Sequence, residues 1–145
     1  EPDLADALSR GLEDAGLDAH RVGEGYAGRS GWLQVDPLWA SRAARAQLLV
    51  SAPGMAALSI ARVYQRPIIL VVSDQPEQTS NAARARQLQL LHRVVTWRGD
   101  PADFRRQVAE AARQLSAAAP APDVILGNQR AQARIDAWAS RLLGL

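Results

Sequence analysis

Cysteine and lysine are both absent from this 145-residue chain, and phenylalanine and methionine occur once each. Without cysteine there is no disulfide, no thiolate nucleophile and no zinc-thiolate site, while the redox compartment stays open. No apolar run approaches the roughly 20 residues that cross a bilayer. The first residues, Glu1-Pro2-Asp3-Leu4, are acidic where a secretory leader is basic. The expectation is a soluble, cytoplasmic protein without a transmembrane segment. Because lysine is missing, all 17 basic residues are arginine, which with the abundance of alanine suggests a GC-rich genome. Set against 15 acids they leave a net charge of +2 and are spread over several segments, so nucleic acid is not an expected partner.

What is present is enough apolar sequence, 48% of residues, for one domain spanning 1–145 with a core of its own. Leu4 to Leu17 reads as an amphipathic helix stopped by Gly16, and Ala19 to Val22 as a short strand. Gly23-Glu24-Gly25-Tyr26-Ala27-Gly28 matches the letters GxGxxG, but the dinucleotide motif needs a helix opening on its last glycine. Here Arg29-Ser30-Gly31 continues the loop and Trp32 to Val35 looks extended, so a flexible loop is the better reading. Asp36-Pro37 predicts a helix to about Arg45, with aspartate as cap and proline in the first turn.

The stretch from Ala46 to Ala82 organises the chain. Gln47 to Val50 and Pro67 to Val72 are apolar, β-branched and leucine-rich, and read as buried parallel strands. Between them Ser51-Ala52-Pro53-Gly54 predicts a turn and Met55 to Tyr64 a helix, giving a βαβ unit. A strand that enters a helix through small residues leaves backbone N–H groups aimed at a place where an anion can sit. Further on, Pro76 to Leu91 predicts a helix, Arg93 to Trp97 a strand, and Asp100-Pro101 the start of a helix to about Ala117. Ala118 to Pro122 reads as a linker and Asn128 to Leu143 as a last amphipathic helix. The alternation predicts an α/β, Rossmann-like three-layer sandwich with a mainly parallel sheet of four or five strands. Such a sheet normally opens on a strand, whereas this chain opens on a helix, which suggests a missing strand or one part of a larger assembly.

His20 and His92 have no carboxylate at ligand spacing and read as surface or edge residues. Trp32, Trp39, Trp97 and Trp138 read as core or interface anchors, and Glu13-Asp14 and Arg105-Arg106 as solvated helix faces. No Ser/His/Asp set, metal motif or P-loop is visible.

From Ala46 to Ala82, and more loosely over Leu33 to Leu115, the sequence resembles the C-terminal, nucleotide-sugar-binding half of GT-B glycosyltransferases. The similar branches are the lipid-linked N-acetylglucosaminyltransferases of peptidoglycan synthesis and the UDP-glycosyltransferases. The shared order is an apolar strand (Leu48 to Ser51), a small-residue turn (Ala52-Pro53-Gly54), a helix, and a proline (Gln65-Arg66-Pro67) opening the next apolar strand. An acid-amide segment, Asp74-Gln75-Pro76-Glu77-Gln78, and Asn81-Ala82 follow. The resemblance implies that Ser51, Gly54 and the amides of Met55 and Ala56 meet the donor diphosphate, and that Asp74-Gln75 or Glu77-Gln78, with Asn81, meet the sugar. It places Val35, with Trp32 beside it, at the nucleobase. It implies a UDP- or TDP-sugar as substrate, no cofactor and no metal, and an N-terminal half-domain or partner subunit that supplies acceptor site and base. The chain departs from the family at Ala52 (His or Arg), Pro53 (Gly), Ala57 (Ser or Thr) and Ile60 (the ribose-binding acid). Those departures keep open a non-catalytic interaction domain, and similar GT-B relatives keep open a nucleotide-sugar epimerase or hydrolase.

Overall fold

A computed structural model describes residues 2–23, 32–33, 35–73 and 76–144. The GxGxxG-like loop beyond Gly23, together with Asp74 and Gln75, lies outside them. Among the described residues are six helices, α1 (Pro2–Asp14), α2 (Trp39–Arg45), α3 (Met55–Tyr64), α4 (Pro76–Gln87), α5 (Pro101–Ala118) and α6 (Val124–Leu143). The strands are β1 (Arg21–Val22), β2 (Trp32–Leu33), β3 (Leu49–Ser51), β4 (Ile68–Val72) and β5 (His92–Thr96).

All described strand pairs are parallel, but they form two sheets rather than one. β1 pairs with β2, and β3, β4 and β5 form a second sheet in that order. The alternation of β4 splits the core. Ile68, Leu70 and Val72 turn to Leu58 and Ala61 of α3 and Ala82 and Ala85 of α4. Ile69, with Val95 of β5, turns to Ala7 and Leu12 of α1 and Phe104, Val108 and Leu115 of α5. Helices therefore cover both faces of the three-stranded sheet, and the continuous apolar run of β4 is what a strand buried on both sides requires. β3 corrects the expectation of a second buried strand: it is an edge strand and all three of its residues are half-buried.

Local chemistry explains the element ends. α3 is rich in alanine and stops at Gln65, which takes a left-handed conformation (φ 50°) while the Arg66 amide reaches back to the Ala61 carbonyl at 3.0 Å. α4 ends the same way, with Gln89 at φ 56° and the Leu90 amide on the Ala85 carbonyl at 3.0 Å. Asp100 caps α5 by accepting from the Asp103 amide at 3.2 Å, and Pro101 follows it. Asp36 does not cap α2. Its Oδ1 accepts from the Leu38 amide at 2.9 Å, a side-chain turn that delays the helix to Trp39. α6 starts earlier than its periodicity suggests, because Asp123 accepts from the Leu126 amide at 2.9 Å and draws Val124 to Gly127 into the helix.

Trp97 is a core anchor, packed edge-on against Phe104 at 5.4 Å. Trp39 and Trp138 are not: they are 45% and 59% exposed, on helices that meet solvent with much of their length. Glu13, Asp14 and Arg106 are exposed and Arg105 is half-exposed, as solvated helix faces require. Arg105 donates from Nε and Nη2 to the two Asp14 oxygens at 2.6 and 2.8 Å, tying α5 to α1, and Glu13 lies 3.6 Å from Arg21.

Candidate functional site

The C-terminal ends of β3 and β4 carry the turn that the sequence singles out. Ser51 closes β3 and donates from Oγ to the Ala52 carbonyl at 2.8 Å. Pro53 is buried, and Gly54 precedes α3 in an extended conformation (φ −145°, ψ 156°) with no side chain capping the helix. The Gly54 carbonyl accepts the first helical bond, from Leu58 at 3.0 Å. Helix geometry leaves the amides of Met55, Ala56 and Ala57 without intrahelical acceptors, at the positive end of the helix dipole. Among the described residues a Cβ on Gly54 would meet only the Ala52 carbonyl, at 4.0 Å. Met55 and Ala56 are exposed.

α4 comes to the same edge. Asn81 donates from Nδ2 to the Pro53 carbonyl at 3.4 Å, fastening α4 to the β3–α3 turn. Gln78 accepts at Oε1 from the Ser73 amide and hydroxyl at 2.7 and 2.9 Å, which fixes the chain where it leaves β4. Glu77 is exposed in the first turn of α4. The structure thus groups Ser51, Gly54, Met55, Ala56, Gln78 and Asn81 at one edge, with Gln78 and Asn81 already bonded to the site's own main chain. Among the described residues no carboxylate hydrogen-bonds this turn, and one guanidinium reaches it: Arg84 donates from Nη1 to Met55 Sδ at 3.5 Å, adding a positive charge beside the backbone amides.

The two residues expected at the nucleobase part company. Trp32 is half-buried and lines a cleft of ≈ 940 Å³ that also takes in Val50, the residue before Ser51. Val35 is 68% exposed. This cleft runs between α1, β1, α2 and β3, and its wall mixes leucine, valine and tryptophan with Arg21, Arg42 and Arg45.

An ionic cluster around the buried Asp36 borders the same cleft; His20 is exposed, as a surface residue is, but it is not remote from a carboxylate. Asp36, 6% exposed, accepts at Oδ2 from Arg42 Nε at 2.8 Å, and His20 Nε2 lies 2.8 Å from the same oxygen. The Leu38 amide, then His20 and Arg42, hold the Asp36 carboxyl below its ordinary value, against the opposing effect of burial. His20 precedes β1 and Asp36 follows β2, so the pair clamps the ends of the small sheet. Sixteen residues separate them, and only the β1–β2 crossover brings them together. His92 remains an edge residue, its Nδ1 2.8 Å from the Leu90 carbonyl.

Among the described residues, no group of three or more His, Asp or Glu side chains is placed to share a metal ion. No helix among them is long and apolar enough to cross a membrane. No protein-family model, characterised protein or solved structure matches this chain.

Proposed function

We propose that the chain is the nucleotide-sugar-binding, Rossmann-like half-domain of a GT-B glycosyltransferase, holding the diphosphate of a UDP- or TDP-sugar at the β3–α3 turn. The observation that carries the reading is the start of α3: ten helical residues opening directly from a parallel strand, uncapped by any side chain, behind Gly54, whose added Cβ would meet no described atom nearer than 4.0 Å. Ligands of parallel α/β sheets bind beyond the carboxyl ends of the strands, and anions bind at such helix starts. In a transfer reaction the same amides, from Met55 and Ala56, stabilise negative charge as it develops on the leaving diphosphate. The acceptor hydroxyl and its base come from a second half-domain or partner subunit.

A second reading, a domain of this fold that no longer binds a donor, is favoured by two observations. Ala57 packs against the core cluster of α3 and α4, and Gln78 and Asn81 spend polar atoms on backbone. An epimerase or hydrolase of similar fold would use the same turn and differ only in product.

Titration calorimetry with UDP, TDP and their sugars separates the first two readings. Saturable binding that a Gly54→Val substitution abolishes, with folding intact, is the expected result. Absence of heat at millimolar ligand would leave the second reading standing. Product analysis with UDP-N-acetylglucosamine, with and without acceptors, then distinguishes transfer from epimerisation and hydrolysis.

A further inference from the structure

At the opposite ends of the same strands the chain builds a second concave surface, one the nucleotide-sugar reading does not use. It is a cleft of ≈ 640 Å³ beside the chain entering β4 and β5, within the size range of small-molecule sites. Four arginines line it: Arg62 from the last turn of α3, Arg66 just before β4, and Arg130 and Arg134, one turn apart on α6. No aspartate or glutamate lines it. None of the four arginines is ion-paired to a carboxylate among the described residues.

Arg66 is the anchor of this surface. It is 2% exposed, and its guanidinium donates to the carbonyls of Tyr64 (3.3 Å), Ala46 (3.2 Å) and Pro120 (2.7 Å). Burial lowers its pKa, the mark of a cation removed from water without a counter-ion. A guanidinium has five N–H donors, so these three bonds leave hydrogens on both terminal nitrogens. Arg130 donates to the Val63 carbonyl at 3.2 Å.

The bland explanation is that these arginines neutralise the carbonyl ends of α3 and α4, which both point here. The magnitudes decide against it as a full account. Each helix end carries roughly half a negative charge, and two such ends offset about one of the four positive charges. About three remain, those of Arg62 and Arg134 exposed at the mouth of a cleft whose other wall is Leu88, Leu90 and Leu91.

We propose that this cleft binds a phosphate monoester, its dianionic head held by Arg62, Arg66 and Arg134 and its apolar ester group lying on the leucine wall. Arginine's planar fork suits phosphate oxygens, and a dianion answers the excess charge better than a carboxylate does. The test is titration calorimetry at low ionic strength with phenyl phosphate, inorganic phosphate and benzoate. Phenyl phosphate is expected to bind about tenfold or more tightly than either of the others. Arg66 also ties three chain segments together, so the informative variant is the double exchange Arg62→Gln with Arg134→Gln on the outer wall. It is expected to weaken phenyl phosphate about tenfold or more while leaving the melting temperature and any UDP binding unchanged. Equal affinity for benzoate, no saturable binding, or undiminished binding by the double variant would each overturn the proposal. Loss of UDP and phenyl phosphate together in that variant would also overturn it, since the two ligands would then share one site.

Discussion

Gly127 of α6 lies against the ring of Tyr64, so close that a Cβ there would fall 2.1 Å from Tyr64 Cδ1. The adjacent Asn128 accepts from the Tyr64 hydroxyl at 2.6 Å, so one residue pair sets the distance between α6 and α3 and the next fixes their register. Gly127→Ala is expected to destabilise the protein by about 1–3 kcal/mol through overpacking, offset by up to about 1 kcal/mol of helix propensity. Urea unfolding reads the net loss. In a Tyr64→Ala background the same Gly127→Ala step should cost much less, because the clash then has no partner.

Gly11 plays the matching part between α1 and α5. A Cβ there would stand 2.8 Å from the Arg105 carbonyl oxygen and from Val108 Cβ, and a main-chain oxygen cannot swing aside as a ring can. Gly11→Ala is expected to cost about 1–3 kcal/mol with no rescue from truncating Val108. A rescue by Val108→Ala in thermal melts would show that the backbone contact does not matter.

Gly54 should behave in the opposite way. With no described atom nearer than 4.0 Å to its added Cβ, and φ at −145°, Gly54→Ala should change stability by less than about 1 kcal/mol. The methyl group would stand in front of α3. Affinity for a nucleoside diphosphate should therefore drop while the unfolding midpoint holds, and equal losses in both would contradict the site.

Asp36 makes stability depend on pH with a fixed sign. Its folded pKa lies below the ordinary 3.8, chiefly because the Leu38 amide and then His20 and Arg42 bond the ionised form. The carboxylate's contribution is complete above pH 3.8 and disappears as pH falls through the lowered folded value. Asp36→Asn should lower the melting temperature at neutral pH and flatten its decline in acid, so that the two curves converge. Parallel curves across that range would remove Asp36 from the account.

The elements that could be read from sequence are those whose cause is local. The β3–α3–β4 order follows from two apolar runs around a Met-Ala-rich helix, and the start of α5 from Asp100-Pro101. Likewise, the strand-to-helix turn at Gly54 is legible from its small residues. What stayed hidden depends on distant partners. Asp36 looks like a helix cap until Leu38, His20 and Arg42 claim its oxygens. Arg66 stands in the Gln65-Arg66-Pro67 junction before β4, and nothing nearby in sequence shows that it is buried against Ala46 and Pro120. Gln78 and Asn81 look available to a sugar, yet Ser73 and Pro53 bond to them once the strands are paired. The prolines at 120 and 122 masked the start of α6, which the Asp123 side chain sets.

The division into two parallel sheets has its own consequence. Among the described residues, β1 pairs only with β2 and β3 only with β4, yet Arg21 and Val22 of β1 and Leu49 and Val50 of β3 line the same cleft. Strand edges with no partner among the described residues are templates for a further strand. The folded state is therefore open to mass action: an extended apolar segment that lies in this cleft would raise its stability in proportion to the logarithm of that segment's concentration.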